Sequence, residues 1–290
     1  MSFTTEIKNE LCRIPISAPC CALAECLGML LYAGRCDREQ IRLQAETSAV
    51  RRRAAQLLQL NFHIAPQEEK ASLTVSGEDA ARVLAGFGYD GPGTLQLNRA
   101  LVEEECCKSA FLRGAFLAGG YVSTPDKGYH LELTTAHYRV ARQTSALLLD
   151  MELPAGYIQR RGNHVLYLKD STLIEEFLTA AGATGSAMEL MLKKVERDLR
   201  NNVNRKVNCE TANLSKTVDA SARQVAAIET LRLRGMLEEL PAPLLETALL
   251  REGNPELSLS ELCALHKTPI SRPGLSNRLR RLVKLSEEQP

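Results

Sequence analysis

Positive charge is concentrated in one short segment near the end of the chain. Residues 267–284 carry six basic side chains and no acidic one, although the whole chain balances 36 Lys and Arg against 35 Asp and Glu. The six are Lys267, Arg272, Arg278, Arg280, Arg281 and Lys284. Lysine and arginine neutralise phosphate groups, and arginine can also donate two hydrogen bonds to one guanine edge. The segment has the chemistry of a nucleic-acid contact, with a solvated helix face as the alternative.

Short sequence signals predict a helix, a turn and a second helix around this segment. Ser258 and Glu261 have the spacing of a capping box, which begins a short helix over residues 259 to about 266. Pro269 breaks that helix, and Ser271 can act as the N-cap of the next one. A short helix followed by a turn and a basic helix is typical of a helix-turn-helix, whose second helix enters the DNA major groove.

The second of these helices is predicted to have one apolar and one polar face. Leu275, Leu279 and Leu282 recur at helical spacing and can face a core. On the polar side, Ser276 and Asn277 are expected at base edges, and the basic side chains at phosphates or guanine. The predicted DNA-binding residues are Ser271, Arg272, Ser276, Asn277, Arg278, Arg280, Arg281 and Lys284.

A second basic block precedes a stretch rich in asparagine. Lys193, Arg197 and Arg200 are spaced i, i+4 and i+7, so one helix face would carry all three and could follow a phosphate backbone. A solvated helix face explains the same spacing equally well. The stretch 201–208 is a poor helix interior and is predicted to be a linker, followed by a helix over 219–235.

The first 190 residues contain one pattern of elements twice. Gly28 and Gly34 lie in a helix of small residues and recur 86 residues later as Gly114 and Gly120. A glycine inside a helix costs about 1 kcal/mol relative to alanine, so it needs a reason such as close contact between two helix backbones. Two unrelated core helices are the alternative.

Each cycle is predicted to begin with this helix and then to alternate between strands and helices. The first cycle has a helix over 19–34, a strand over 40–47, a helix over 48–60, an extended segment over 71–76 and a helix over 78–86. The second has a helix over 108–120, a strand over 128–136, a helix over 138–151, a hairpin through 161–163 and a helix over 171–181. After residue 190 only helices are predicted.

Composition and cysteine usage argue against several classes of protein. The longest apolar runs fall far short of the about 18 residues that span a bilayer, so no membrane segment is predicted. Nine cysteines, with doublets at 20–21 and 106–107, do not resemble a disulfide framework, which favours reduced thiols in a cytosol. The cysteines lack a C-x-x-C pair and the five histidines are scattered, so no metal site is expected.

No catalytic residue or cofactor site can be assigned from spacing. Residues 86–91 match a dinucleotide-binding fingerprint literally, but they follow a helix and lead into Pro92-Gly93, so a turn is expected instead. No Ser-His-Asp or Cys-His arrangement can be singled out. The residues therefore predict no cofactor, no small-molecule substrate and no enzymatic step.

The two small-residue helices resemble the motif of LAGLIDADG homing endonucleases, carried here by Cys26–Gly34 and Leu112–Gly120. That family packs two such helices at a pseudo-twofold axis and lays two saddle-shaped sheets on DNA. Its nuclease chemistry needs an acidic metal ligand just before the last glycine of the motif, where this chain has Ala33 and Gly119. The resemblance implies the scaffold without the catalysis.

The other commonly acidic position of the motif is also apolar here, because Leu31 and Leu117 occupy it. Neither helix therefore offers a metal ligand at the predicted helix contact. The acids nearby are expected to be surface charges, and they are Glu25, Asp37, Glu105 and Asp126.

Longer stretches resemble the WhiA family of bacterial sporulation and cell-division regulators over essentially the whole chain. These stretches are Ser2–Leu11, Phe111–Gly120 and Asn208–Thr217, of which the last is the most specific. The family's recognition helix is similar to Ser271–Leu282, with departures at Pro273 and at 276–277. The resemblance implies a sequence-specific transcriptional regulator of genes for division, chromosome segregation or sporulation, and the departures leave its DNA site open.

The expected fold class is α+β, with a duplicated LAGLIDADG-like N-terminal domain of pseudo-twofold symmetry and a small all-α helix-turn-helix domain. The expected domains are a first repeat with an N-terminal helix over 1–100, a second repeat over 101–190, a basic, Asn-rich linker over 191–217 and the helix-turn-helix domain over 218–290. The expected partner is double-stranded DNA in the cytoplasm, at the nucleoid. A regulatory protein bound to the N-terminal domain is a further candidate.

Two alternatives stay open at this point. One is a residual metal-dependent DNA endonuclease, which would cleave DNA in the presence of magnesium. The other makes the N-terminal domain a protein-interaction platform tethered to the helix-turn-helix. In that case its arginines are merely solvated, and they are Arg42, Arg51, Arg52, Arg53, Arg160 and Arg161.

Overall fold

Two units with separate hydrophobic cores make up the chain, Met1–Arg197 and Asp198–Pro290. The structure is a computed structural model that describes residues 2–16, 18–89, 95–124 and 128–288. Within these residues, no helix combines the length and the apolar character needed to cross a bilayer.

The first unit begins with α1 (Phe3–Leu11) and then builds a first repeat around one four-stranded sheet. The elements of this repeat are α2 (Pro19–Leu31), β1 (Arg35–Cys36), β2 (Gln40–Gln44), α3 (Ser48–Phe62), β3 (Gln67–Glu68), β4 (Ser72–Ser76) and α4 (Glu78–Gly86). The strands are antiparallel in the order β1-β2-β4-β3. Ile41 pairs with Val75 and Leu43 with Leu73, so these apolar pairs lie in the core.

The second repeat has the same arrangement of elements. After a 3-10 turn at Arg99–Val102 come α5 (Glu105–Gly119), β5 (Gly120–Val122), β6 (Leu131–Thr135), α6 (Tyr138–Asp150), β7 (Gly156–Arg160), β8 (Asn163–Leu168) and α7 (Ser171–Ala181). The strand order β5-β6-β8-β7 matches that of the first sheet position by position. Arg161 and Gly162 have φ of 52° and 81°, as a two-residue type I′ hairpin turn requires. The predicted duplication and hairpin are confirmed.

Helices α2 and α5 lie against each other with their backbones in close contact. A Cβ atom added to Gly28 would lie 2.8 Å from the backbone nitrogen of Ala115, and one added to Gly114 would lie 2.9 Å from that of Met29. Any side chain at these two positions would therefore force the helices apart. The close helix contact predicted from the glycines is confirmed, and a single hydrophobic core spans both repeats.

A buried carboxylate joins the two repeats beside this contact. Glu25 of α2 is 1% exposed and accepts hydrogen bonds from Arg53 of α3, from Nε at 2.7 Å and from Nη2 at 2.8 Å. Arg113 of α5 donates to the same carboxylate at 3.1 Å and to the Ala181 carbonyl at 2.9 Å. The prediction that Glu25 is a surface charge is wrong, because its two cationic partners are distant in sequence and compensate its burial.

The other acids near the motifs have different surroundings. Asp37 lies 2.6 Å from Nε of Arg35 with 45% of its side chain exposed, and Glu105 is exposed beside Lys108. Asp126 lies outside the described residues, as do residues 90–94 of the segment expected to turn after α4. In the described part of that segment, Gly88 has a φ of 81°, as a turn allows.

A single helix, α8 (Thr184–Leu233), runs for 50 residues across the boundary between the units. The predictions of a non-helical stretch over 201–208 and of a separate helix starting near 219 are wrong. Asparagine costs a helix less than about 0.7 kcal/mol relative to alanine, and no glycine or proline lies between Gly185 and Gly235. The predicted domain boundaries on either side of this segment stay predictions.

Specific residues fix the start and the end of α8. The Glu10 carboxylate of α1 accepts hydrogen bonds from the backbone nitrogens of Gly185 at 2.7 Å and Ser186 at 2.9 Å, which satisfies free N–H groups at the start of the helix. At the other end, Gly235 has a φ of 71° and stops the helix, as the sequence predicts.

The second unit packs the end of α8 with α9 (Ala242–Gly253), α10 (Leu259–Leu265) and α11 (Arg272–Glu287). Its core includes Ile228, Leu231, Leu244, Ala248, Leu262, Leu275, Leu279 and Leu282. Arg251 of α9 is 2% exposed and donates to the carbonyls of Leu257 at 2.8 Å and Pro255 at 3.4 Å. This side chain fixes the loop that leads into α10, and its burial lowers the pKa of the guanidinium.

Candidate nucleic-acid interface

Helix α10 begins with the capping box that the sequence predicts. The Ser258 hydroxyl accepts from the backbone nitrogen of Glu261 at 3.3 Å, and the Glu261 carboxylate accepts from the backbone nitrogen of Ser258 at 2.8 Å. Hydrogen bonds from the side chain and the backbone nitrogen of Ser258 to this carboxylate hold the pKa of Glu261 below its usual range. The start of the helix is therefore fixed by two residues within one turn.

The end of α10 agrees with the prediction to within one residue. The helix ends at Leu265, because His266 already has an extended backbone and turns its ring into the core. Nδ1 of His266 lies 2.9 Å from the Leu262 carbonyl, and Nε2 lies 3.1 Å from Oγ1 of Thr247 on α9. The buried ring anchors the turn between α10 and α11.

Helix α11 has the two faces that its sequence predicts. Its N-cap, Ser271, accepts from the backbone nitrogen of Gly274 at 3.3 Å. Leu275, Leu279 and Leu282 are each at most 1% exposed. The opposite side is exposed and carries Arg272, Asn277, Arg280, Arg281 and Lys284, and Pro273 and Glu287 at the two ends of the helix are exposed as well.

The predicted DNA-binding residues of α11 differ in how freely they can reach a ligand. Arg278 is partly buried, and its Nη1 donates to the Pro243 carbonyl at 3.3 Å, which ties it to α9. Arg280 donates to the hydroxyl of Ser276 at 3.4 Å within the helix. Across the described part of the chain, no carboxylate lies within ion-pair distance of Arg280 or Arg281, whereas Lys284 lies 3.9 Å from Glu288. Positive charge on this face is therefore largely uncompensated.

The second basic block is arranged differently. Lys193 forms an ion pair with Glu189 at 3.0 Å, one turn earlier on α8. The guanidinium of Arg197 lies 5.7 Å from the centre of the Tyr129 ring, within range of a cation–π contact. Arg200 is exposed. Two of the three candidates for phosphate contacts thus already have partners within the first unit.

Four of the six arginines of the first unit considered above form ion pairs with acids. On the first sheet, Arg42 lies 3.5 Å from Glu69, and on the second sheet Arg160 lies 2.8 Å from Glu132. Arg51 is 9% exposed and pairs with Glu68 at 2.9 Å. The idea that Arg51 and Arg53 are merely solvated is wrong, because both side chains are buried in ion pairs. Exposed Arg52 and Arg161 fit that idea.

The ends of the two motif helices carry no acidic side chain. Ala33 is 3% exposed, and Gly119 packs against the Tyr32 ring at the corresponding place. Leu31 and Leu117 are buried. The Thr135 hydroxyl donates to the Leu31 carbonyl at 2.8 Å, so the region is filled by structural contacts between the repeats.

Two contributors to the C-terminal surface were missed by sequence reasoning. Arg251 and His266 set the loops before and after α10, although neither belongs to a local motif. Their partners are backbone carbonyls and the hydroxyls of Thr247 and Ser221, up to 30 residues away, so a single sequence contains no signal for them. Both act by holding α10 and α11 in place.

These features define a class of protein: a duplicated LAGLIDADG-like α/β unit followed by a helix-turn-helix unit. Comparison with protein families agrees on both parts. The WhiA LAGLIDADG-like domain matches residues 108–200, and the WhiA C-terminal HTH domain matches residues 203–286.

Whole-chain relatives identify the family. The chain is 36% identical over 305 residues to a probable cell division protein WhiA of Ruminiclostridium cellulolyticum, covering 99% of this chain and 97% of that protein. It is 34% identical to the corresponding protein of Alkaliphilus metalliredigens, covering 100% and 98%. The full-length WhiA crystal structure from Thermotoga maritima matches with a TM-score of 0.63 at 30% identity over 99% of this chain and 98% of that one. The chain belongs to the WhiA family.

Proposed function

We propose that this protein is a sequence-specific DNA-binding regulator of transcription, acting in cell division, chromosome segregation or sporulation. The observation that carries the proposal is the exposed face of α11, where Arg280 and Arg281 have no acidic partner among the described residues. Such a face on the second helix of a helix-turn-helix suits phosphate and base contacts in the major groove. The names of its relatives, probable cell division proteins, support the biological process.

Each residue of this face is assigned a role by its position. Phosphates or guanine are contacted by Arg280, Arg281 and Lys284. Base edges are contacted by Ser276 and Asn277. Ser271 and Arg272 lie at the start of α11, where the helix dipole favours a phosphate. Arg278 acts as a second contact once it leaves the Pro243 carbonyl. Lys193, Arg197 and Arg200 are candidates for additional phosphate contacts.

The proposed function has no catalytic step. Ala33 and Gly119 stand where a LAGLIDADG nuclease needs its metal-binding acids, which supports a scaffold that binds without cleaving. Incubation of supercoiled plasmid with the protein and magnesium tests this, and intact plasmid is the expected result. Nicking that a chelator abolishes, and that survives repurification, would establish the nuclease alternative instead.

A second role is favoured for the N-terminal unit. Its sheet arginines are neutralised by Glu69 and Glu132, which suits a surface that binds a regulatory protein better than one that binds DNA. In this arrangement the helix-turn-helix supplies the DNA contact, and the protein works in the cytoplasm at the nucleoid.

The central experiment measures binding of labelled, sheared bacterial DNA by fluorescence anisotropy over a series of salt concentrations. The test variant is Arg280→Ala with Arg281→Ala. The matched control is Arg42→Ala with Arg160→Ala. It also removes two positive charges, but from sheet positions where each arginine is paired with an acid. We expect the α11 variant to weaken binding and to reduce the slope of log K against log salt by up to about 2, and the control to bind like wild type.

The two outcomes separate the assignments clearly. Loss of affinity and slope in the α11 variant alone supports α11 as the DNA reader. Wild-type binding by the α11 variant would contradict the proposal, and loss in the sheet variant would move the DNA contact to the N-terminal unit. Circular dichroism spectra of both variants establish that each remains folded.

A further inference from the structure

Four cysteines meet at one place in the first unit, at the N-terminal ends of the two motif helices. Cys20 and Cys21 are the second and third residues of α2, and Cys106 and Cys107 are the second and third residues of α5. All four sulfur atoms lie within 4.8 Å of one another. The cluster therefore joins the first repeat to the second.

The duplication explains why the two doublets meet. Cys106 and Cys107 follow Cys20 and Cys21 by 86 residues, the same interval that separates Gly28 from Gly114. Each doublet thus occupies the equivalent position in its repeat. Because α2 and α5 are in backbone contact at the two glycines, the equivalent positions about two turns earlier are brought face to face.

The spacing of the sulfur atoms fits a single tetrahedral metal ion. Zinc–thiolate bonds of about 2.3 Å place the ligand sulfurs about 3.8 Å apart in a tetrahedron. Sγ of Cys106 lies 3.9 Å from Sγ of Cys107, and the whole cluster stays within 4.8 Å. All four are free thiols in the structure.

The chemistry of the donors selects the kind of metal. Four sulfur ligands without a carboxylate or a histidine in the group favour zinc over magnesium or calcium, which prefer oxygen. Four thiolates around zinc carry a net charge of −2, and the positive ends of two helices face that charge. Binding of zinc would release the four thiol protons to solvent, without any oxidation or reduction.

We propose that Cys20, Cys21, Cys106 and Cys107 form a four-thiolate zinc site that fastens the two repeats together. Four protein ligands close the coordination sphere, so the site is structural and leaves no position for a reacting water. This differs from the sequence expectation of no metal site, which rested on the missing C-x-x-C pattern. Here the second pair of ligands comes from the duplicated repeat and not from the same turn. Cys20 and Cys106 are exposed, which leaves the metal accessible to strong chelators.

The first test measures zinc in the full-length protein. The protein is purified without chelator, exchanged into metal-free buffer and analysed by plasma mass spectrometry. We expect about one zinc ion per chain, released on titration with a mercurial reagent and detected by a metallochromic dye. Replacement by Co²⁺ should give thiolate-to-cobalt charge transfer and the visible bands of tetrahedral cobalt.

Variants locate the metal. Cys20→Ser with Cys106→Ser removes one ligand from each doublet at exposed positions, so the core packing is retained. The matched control, Cys209→Ser with Cys263→Ser, removes two cysteines outside the cluster. We expect the first variant to lose zinc and the control to keep it. Removal of zinc should lower the melting temperature of wild type and control, but not that of the cluster variant.

Two results would overturn the proposal. The first is wild-type protein that holds no zinc after reduction and reconstitution with zinc, and that gives no tetrahedral cobalt spectrum. The second is zinc retained at full stoichiometry by the Cys20→Ser, Cys106→Ser variant. The zinc and cobalt measurements use the wild-type protein, so they do not depend on whether the variant folds. Disulfides found by mass spectrometry in protein that also fails to bind zinc under reducing conditions would likewise contradict a metal site.

Discussion

Arginine has opposite roles at two sites of this protein, around Glu25 in the first unit and on the exposed face of α11 in the second. In the first unit, Arg53 is buried and Arg113 is partly buried around Glu25, and Arg42 and Arg160 on the sheets have acidic partners. In the second unit, Arg280 and Arg281 point into solvent from α11. The same type of side chain thus holds elements together at the first site and is available to a ligand at the second.

The difference shows what decides the role of a basic residue. A buried guanidinium group stabilises the fold only when its charge is matched by a carboxylate, as at Glu25, or by carbonyl oxygens, as around Arg251. An exposed guanidinium group without an acid nearby adds little to the stability of the fold, and its positive charge remains available to bind phosphates. Counting arginines in the sequence cannot separate the two cases.

The largest effect is expected from Glu25→Gln. The amide keeps the shape of the side chain but leaves one buried and one partly buried guanidinium group without a counter-charge, so we expect a loss of about 3–5 kcal/mol in the free energy of unfolding. Urea denaturation followed by circular dichroism measures it. Glu105→Gln, at an exposed acid beside Lys108, should change stability by less than about 1 kcal/mol. Equal effects of both changes would contradict the structural role of Glu25.

Gly114→Ala should have the next largest effect. The added methyl group meets the backbone of α2, with the Met29 nitrogen at 2.9 Å, and overpacking of this kind costs about 1–3 kcal/mol. Gly253→Ala is the control, because a Cβ there meets nothing within 4 Å. If thermal unfolding shows that both variants match wild type, the helices are not in backbone contact in solution.

Ser271→Ala tests the positioning of α11 in the second unit. Loss of the N-cap hydrogen bond to Gly274 should cost about 1 kcal/mol of stability. Ser286→Ala removes a hydroxyl that donates within the last turn of the same helix and should be nearly neutral. Denaturant melts of the two variants give the comparison, and a neutral Ser271→Ala would mean that the cap does not fix the start of α11.

The smallest effect is expected from the paired sheet arginines. Arg42→Ala and Arg160→Ala each remove one exposed ion pair, which is worth less than about 1 kcal/mol. Stability and DNA affinity should both remain close to wild type. A clear fall in DNA affinity would break the contrast between the units, because the sheets would then contribute a binding surface of their own.

Much of the fold follows from local signals in the sequence. The capping box at Ser258, the cap at Ser271, the stop at Gly235 and the hairpin at Arg161-Gly162 all form as predicted. The prediction fails for the stretch 201–208, where modest asparagine propensities were read as a linker although no helix breaker is present. Two-residue strands such as β1 and β3 were missed because they have too few residues to show a period.

The helix-turn-helix and the basic face of α11 follow from the sequence, since caps, turns and helical periodicity depend on residues within a few positions of one another. The duplication follows from the recurrence of Gly28 and Gly34 as Gly114 and Gly120. The burial of Glu25 between Arg53 and Arg113, partners 28 and 88 residues away, follows from the packing of the elements and has no local signal. The same packing alone brings Cys20-Cys21 together with Cys106-Cys107. Such contacts depend on how the two repeats pack, because residues far apart in the chain meet only once the core has formed.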